Sequence, residues 1–237
     1  MAIQNVVYYC WFGSTEKPAE VEQYIAGWKA VLDGFSFVEI NETNFDVNIN
    51  DYVRAAYEAK RFAFVSDYAR LYFLNQFGGC YLDTDVEVCR PLDEFLSFDD
   101  SIIFSMEQFD HELTGVNTGT IISSAGHPLL QQLLATYDDE LFSDLGDATL
   151  TINKRITEVL VSDYELKYRD ARQHLAGSIE IFPSSVFCVE NEEAYTVHRY
   201  ASSWRTQLSP LRKVRRRIGQ FVKRIIGRDR FARWYKK

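Results

Sequence analysis

Phe64-Val65-Ser66-Asp67-Tyr68-Ala69-Arg70, followed by Phe77-Gly78-Gly79-Cys80-Tyr81-Leu82-Asp83-Thr84-Asp85, is the stretch that decides how this chain is read. Tyr68, Leu71, Tyr72 and Leu74 recur at helical spacing and predict a helix with one apolar face. Gly78 and Gly79 end it, because glycine takes a positive φ without steric penalty. Tyr81 and Leu82 then read as the end of a buried strand. If the chain stays extended, Asp83 and Asp85 point one way and Thr84 the other.

Two carboxylates at a strand end suit a hard divalent cation, Mg2+ or Mn2+, which prefers oxygen ligands and completes its shell with water and substrate phosphates. Such an ion would neutralise a diphosphate leaving group. A solvated Asp-rich turn is the bland alternative. It is weakened by Ser66, Asp67 and Arg70, which share one helical face just upstream among apolar neighbours.

Around this stretch the chain alternates strands and helices. Asn5 to Gly13 is a β-branched and aromatic run closed by glycine, predicted as a central strand whose C-terminal end lies near a ligand. Pro18 opens a helix with Val21, Tyr24, Ile25, Trp28 and Leu32 on its apolar face, and Phe35 to Ile40 follows as a second strand. Strand, helix and strand make a parallel βαβ unit. Asn41 at the second strand's end is read as a turn cap. Further strands are expected at 101–106, 119–123 and 178–183, and helices at 51–60, 128–137 and up to Leu160. His127 is read as a helix start rather than a metal ligand, because Pro128 follows it.

Ser-Asp-x-x-Arg at 66–70, Gly-Gly-x-Tyr-x-Asp-x-Asp at 78–85 and the following Pro91-Leu92 resemble glycosyltransferase family 32, the sugar-binding Asp-x-Asp group, over about 6–204. This resemblance implies an α/β, A-type glycosyltransferase fold: a Rossmann-like, mostly parallel sheet flanked by helices. It implies Asp67, Arg70 and Asp85 as catalytic residues. Trp11 (stacking on the base), Ser66, Tyr81, Asp83, Asn117, Ser202 and Trp204 would bind the donor. Asp83, Asp85 and Ser202 would hold the metal. Trp11 read by itself is equally a core tryptophan, and Asn117, in an expected 115–118 loop under the acceptor, reads by itself more readily as a turn residue. Thr196 to Trp204 resembles the family's closing motif; there Ser202 and Trp204 are preferred as ligand-facing over His198, which also reads as a satisfied strand histidine. The indole N–H of Trp204 is a donor suited to an anionic oxygen. Where relatives carry glycine-proline the chain has Ile152-Asn153, so no acceptor residue carries over there.

Composition sets the remaining bounds. The 237 residues, 46% hydrophobic and 15% aromatic, allow one large domain with a proper core. No apolar run reaches the 18 residues of a membrane span, and no basic-then-apolar leader is present, so a cytoplasmic protein is expected. Cys10, Cys80, Cys89 and Cys188 are scattered and read as reduced thiols. Residues 211–237 carry 12 Lys or Arg and one Asp, net +11, whereas the preceding 210 carry 14 against 33, net −19. Leu211, Val214, Ile218, Phe221, Val222, Ile225 and Ile226 make a helical stripe opposite the basic face. Domains are therefore expected at 1–208, catalytic, and 209–237, a basic amphipathic helix lying on an anionic membrane surface. Nucleic-acid binding is disfavoured by the acidic body, and packing on that body or on a second subunit is the bland account.

The expected activity is transfer of a hexose from a nucleotide diphosphate sugar, UDP-sugar favoured, to a hydroxyl of a glycan or lipid-linked oligosaccharide in surface polysaccharide synthesis. Retention of anomeric configuration is implied by the resemblance. A metal-dependent nucleotide-sugar hydrolase would normally show more His ligands than the 4 His here, and a non-catalytic nucleotide-sugar binder is the other alternative.

Overall fold

The computed structural model describes residues 2–142 and 151–200. Ser202, Trp204 and the basic 209–237 segment lie outside the described residues. The opening elements are β1 (Val6–Cys10), α1 (Ala19–Val31), β2 (Ser36–Ile40), α2 (Asp51–Glu58), α3 (Phe62–Phe77) and β3 (Gly79–Leu82). Then come β4 (Val86–Val88), a 3-10 turn at Asp93–Ser97, β5 (Ile102–Phe109), β6 (Glu112–Ser123) and α4 (Pro128–Ala135). The last are α5 (Ile152–Asp163), β7 (Gln173–Leu175), β8 (Ile179–Phe182), α6 (Ser184–Phe187) and β9 (Thr196–His198).

Seven strands form the central sheet in the order β2-β1-β3-β6-β5-β8-β7, and β4 pairs with β9 apart from it. β1 is parallel to β2 and β3, and β5 to β8, while β6 and β7 run against their neighbours. Five of the seven strands thus share one direction. The expected βαβ unit is present, with Val6 to Cys10 paired to Ser36 to Ile40.

Strand alternation sorts the core onto two faces. Tyr8, Cys10 and Tyr81 join the layer under α2, α3, α4 and α5. Val7, Tyr9, Cys80 and Leu82 face Val21, Ile25 and Trp28 of α1. Trp28 is fully buried and its indole N–H donates to the Val86 carbonyl at 2.8 Å, tying α1 to the segment after the aspartates. The glycine pair ends the helix as expected: Gly78, at φ +65°, caps α3, its N–H donating to the Leu74 carbonyl at 2.9 Å. Gly79 has φ +115°, and a Cβ there would lie 2.8 Å from the Val6 carbonyl, so only glycine lets β3 enter beside β1.

Two expectations need correction. The 115–118 segment is not a loop: it is the middle of β6, a 12-residue strand paired along the whole of β5. The chain does not continue extended through the aspartates but turns, with the Val86 N–H donating to the Asp83 carbonyl at 3.0 Å. The edge strand β7 and the short α6 were not anticipated, being too short to carry a hydrophobic period. Cys10, Cys80 and Cys188 are buried free thiols, and Cys89 is exposed and free.

Candidate active site

Helix α3 supplies the first half of the site. Arg70 is 4% exposed, a burial that a guanidinium tolerates only when its N–H groups are paired. Its Nη2 lies 3.0 Å from Asp67 Oδ1, one turn back on the helix, and its Nη1 lies 3.1 Å from Asp83 Oδ1. Nη1 also donates to the Thr118 carbonyl at 2.9 Å. The guanidinium lies over the Tyr81 ring, 4.5 Å from its centroid, and the Tyr81 hydroxyl donates to Asp83 Oδ1 at 2.9 Å. Burial pushes the Asp67 carboxyl up to about 6; Arg70 opposes this and the Asp83 charge adds to it. The backbone N–H of Ile152, at the start of α5, also reaches Asp67 and favours its ionised form. The Ser66 hydroxyl is turned back onto the Phe62 carbonyl at 2.9 Å.

The second half is assembled across long sequence separations. The Asp83 N–H donates to the Gly119 carbonyl at 2.8 Å, and the turn after it places Asp85 just before β4. β4 pairs with β9 in a register that sets Val86 opposite His198. His198 Nε2 consequently lies 3.3 Å from Asp85 Oδ1. Among the described residues, Asp83, Asp85 and His198 each offer a ligand atom within 4.8 Å of the others. Burial draws the His198 imidazolium down, but the hydrogen bond to Asp85 and the charges of Asp85, Asp83 and Glu107 outweigh it, so its pKa is raised. His198 Nδ1 is buried without a hydrogen-bond partner among the described residues. Two carboxylates and an imidazole whose Nε2 faces Asp85 fit a divalent cation. Among the described residues it is His198 that is brought to the aspartates; Ser202 and Trp204, ranked above it from the sequence, lie outside them.

Trp11 leaves β1 at the same sheet edge as Asp83, because β1 and β3 are parallel. It is partly exposed, its indole N–H donates to the Thr15 carbonyl at 2.7 Å, and Lys17 Nζ lies 5.9 Å from the ring centroid. Gly13, two residues on, donates its N–H to Glu42 at 2.7 Å, and the Tyr57 hydroxyl donates to the same oxygen at 2.8 Å. The loop after β1 is therefore tied through Glu42 to Tyr57 of α2. Asn41 is a turn cap, as expected, accepting the Thr43 N–H at 2.9 Å. His127 caps α4, its Nδ1 accepting the Leu129 N–H at 3.2 Å.

Asn117 does not fit its expected role as a ligand contact. It is fully buried, its Nδ2 donates to the Phe187 carbonyl at 2.9 Å, and its Oδ1 accepts the Gly119 N–H at 3.0 Å. It braces the strand behind the site instead.

Sequence reasoning missed the carboxylate of Glu107, which is 9% exposed near the end of β5. Its Oε1 accepts from Asn153 Nδ2 at 3.1 Å and from the Tyr200 hydroxyl at 3.4 Å, and its Oε2 accepts from Thr114 at 2.7 Å. Asn153 Oδ1 in turn accepts from the Thr118 hydroxyl at 2.9 Å, closing a network onto the strand that holds Arg70. Tyr200 stacks on His198, with ring centroids 4.0 Å apart and planes at 22°. The available signal was a charged residue just after the apolar run Ile102 to Met106.

Sheet order, paired aspartates at the C-terminal end of a central strand and a histidine beside them define a protein of the A-type glycosyltransferase fold. Among solved structures, the PaToxG glycosyltransferase shares this fold at a TM-score of 0.51 and 14% identity, over 67% of this chain and 68% of that one. Residues 1–139 match the family model for capsular polysaccharide synthesis proteins. The chain belongs to the capsular polysaccharide synthesis protein family. It is also 23% identical over 224 residues to an uncharacterized glycosyltransferase of Acanthamoeba polyphaga mimivirus, covering 87% of this chain and 85% of that protein.

Proposed function

We propose that the chain transfers a hexose from a nucleotide diphosphate sugar, with UDP-sugar favoured, to a hydroxyl of a glycan acceptor, and that the transfer is metal-dependent. The observation that carries this reading is the convergence of Asp83, Asp85 and His198 within 4.8 Å, beside the buried Asp67–Arg70 pair. These three side chains would hold Mn2+ or Mg2+, and the imidazole nitrogen favours Mn2+. When bound, the cation would neutralise charge on the diphosphate.

The protein's own groups have distinct tasks in this reading. Asp67 accepts hydrogen bonds from donor-sugar hydroxyls. Arg70, with its N–H groups directed at Asp67, Asp83 and Thr118, is a positioning residue that fixes both carboxylates and adds positive potential near the departing phosphate. Trp11 offers its ring face to the base. Ser202 and Trp204, beyond the described residues, are retained as candidates to close over the diphosphate. Retention follows the family resemblance, and without an assigned nucleophile we favour attack from the leaving group's own face, the phosphate oxygen taking the acceptor proton.

Donor hydrolysis and transfer, followed with Mn2+ and with chelator, test the enzyme. Metal-dependent turnover lost in Asp85→Ala is expected, and metal-independent turnover, or none, would refute the reading. NMR of the product's anomeric centre tests retention, which an inverted product would exclude. The basic stripe at 211–237 is proposed to hold the protein on the cytoplasmic face of an anionic membrane, at on the order of 1 kcal/mol per basic residue. Sedimentation with anionic liposomes that is unchanged after removal of this segment would disprove it.

A further inference from the structure

Phe109 is a large aromatic side chain left 52% exposed at a point where the sheet meets the site. β1, β3 and β5 run in the same direction, so Trp11, Asp83 and Phe109 lie toward the same end of the sheet in that lateral order, with Phe109 further out, opposite Glu112 at the tip of the β5–β6 hairpin that runs on past the end of β3. With neighbouring strands about 4.8 Å apart, β5 lies roughly 10 Å from β3 on the side away from β1. Under the glycosyltransferase reading Trp11 takes the base on the β1 side, which leaves the β5 side, where Phe109 stands, for the acceptor.

The ring is held in place rather than merely exposed. Its edge meets Tyr200 at 5.1 Å and 78°, and Tyr200 stacks on His198 at 4.0 Å, so two ring contacts join Phe109 to the candidate metal centre. Below it Asp110 and His111 make a two-residue turn with φ of 52° and 66°, the geometry that matches strand twist and projects Phe109 at the hairpin tip. The surround is acidic, with Glu107, Asp110 and Glu112, which disfavours a phosphate or an anionic lipid headgroup. A neutral pyranose carries an apolar face of polarised C–H groups, complementary to the negative face of an aromatic ring.

We propose that Phe109 is the stacking surface for a pyranose ring of the acceptor glycan, held at its angle by Tyr200. The proposal rests on the glycosyltransferase reading and deepens it at the acceptor side.

Saturation-transfer NMR on the full chain, with methyl β-D-glucopyranoside and methyl β-D-galactopyranoside as probes, tests it without requiring turnover. Saturation on the sugar's ring C–H protons is expected for the wild type. It should fall roughly fivefold in Phe109→Ala, the weight of one aromatic contact, and return in Phe109→Trp. No saturation in the wild type with either probe, an unchanged pattern in Phe109→Ala, or a concentration-dependent dimer that dissociates in Phe109→Ala would overturn it. Donor hydrolysis measured on the same wild-type sample reports separately on the glycosyltransferase reading.

Discussion

Arg70 and Asp83 lie 3.1 Å apart and join the middle of α3 to the end of β3, and the same guanidinium holds Asp67 at 3.0 Å. One buried cation therefore sets the geometry of two carboxylates that come from different elements. Removing it leaves two carboxylates, one of them nearly buried, without their shared cation, with only the Tyr81 hydroxyl on Asp83 and the Ile152 N–H on Asp67. Arg70→Ala is expected to lose about 3–5 kcal/mol of stability in urea unfolding, and Arg70→Lys, a point charge that cannot make the fork, should fold but lose most activity. A loss below about 1 kcal/mol in Arg70→Ala would show that the pair is not structurally coupled.

Asp67 gives the fold a pH signature. Burial raises its carboxyl to about 6, against 3.8 for the unconstrained group, so the folded state holds this proton more tightly than the unfolded chain. Stability from this group is complete below about pH 4 and is lost as pH rises through 6. In chelator, the wild type should lose up to about 3 kcal/mol relative to Asp67→Asn between pH 4 and 7, because each tenfold difference in proton affinity between the folded and unfolded chain is worth about 1.4 kcal/mol. Parallel urea-midpoint profiles for the two proteins would contradict this.

His198 makes cation binding pH-dependent in the opposite sense. Its pKa lies above 6.5 because Asp85, Asp83 and Glu107 outweigh its burial, and a ligating imidazole must give up its proton. Mn2+ affinity, read by calorimetry, should weaken by about tenfold per pH unit once falling pH protonates His198. His198→Ala should bind Mn2+ on the order of 100-fold more weakly and flatten the profile. Equal affinity in the two proteins would remove His198 from the site.

Gly115 sets the spacing between β6 and α5. Its φ is +136°, and a Cβ there would lie 2.5 Å from Thr157 Oγ1, the atom that accepts the Val116 N–H at 2.9 Å and donates to the Asn153 carbonyl at 2.6 Å. Gly115→Ala is expected to cost roughly 2–4 kcal/mol, from backbone strain and overpacking together. Adding Thr157→Ala should relieve the steric part and leave the strain. A Gly115→Ala protein with an unchanged thermal midpoint would refute the close approach.

Glu107, Asn117 and His198 show where local reading ends. Glu107 and Asn117 lie on apolar strands in which a polar side chain gives no period of its own, and His198 sits on a three-residue strand too short to show which way it faces. The sequence by itself determined the helix, its glycine stop, the strand and the aspartates that follow, because these depend on contacts within a few residues and on backbone limits that glycine alone escapes. It also determined the βαβ opening, through apolar period and chain length. Only the tertiary structure decided that the aspartates sit in a turn, that Arg70 bridges Asp67 to Asp83, and that β4 against β9 carries His198 to Asp85. These depend on strand register and on pairings more than a hundred residues apart, such as Val86 with His198, which no local pattern encodes.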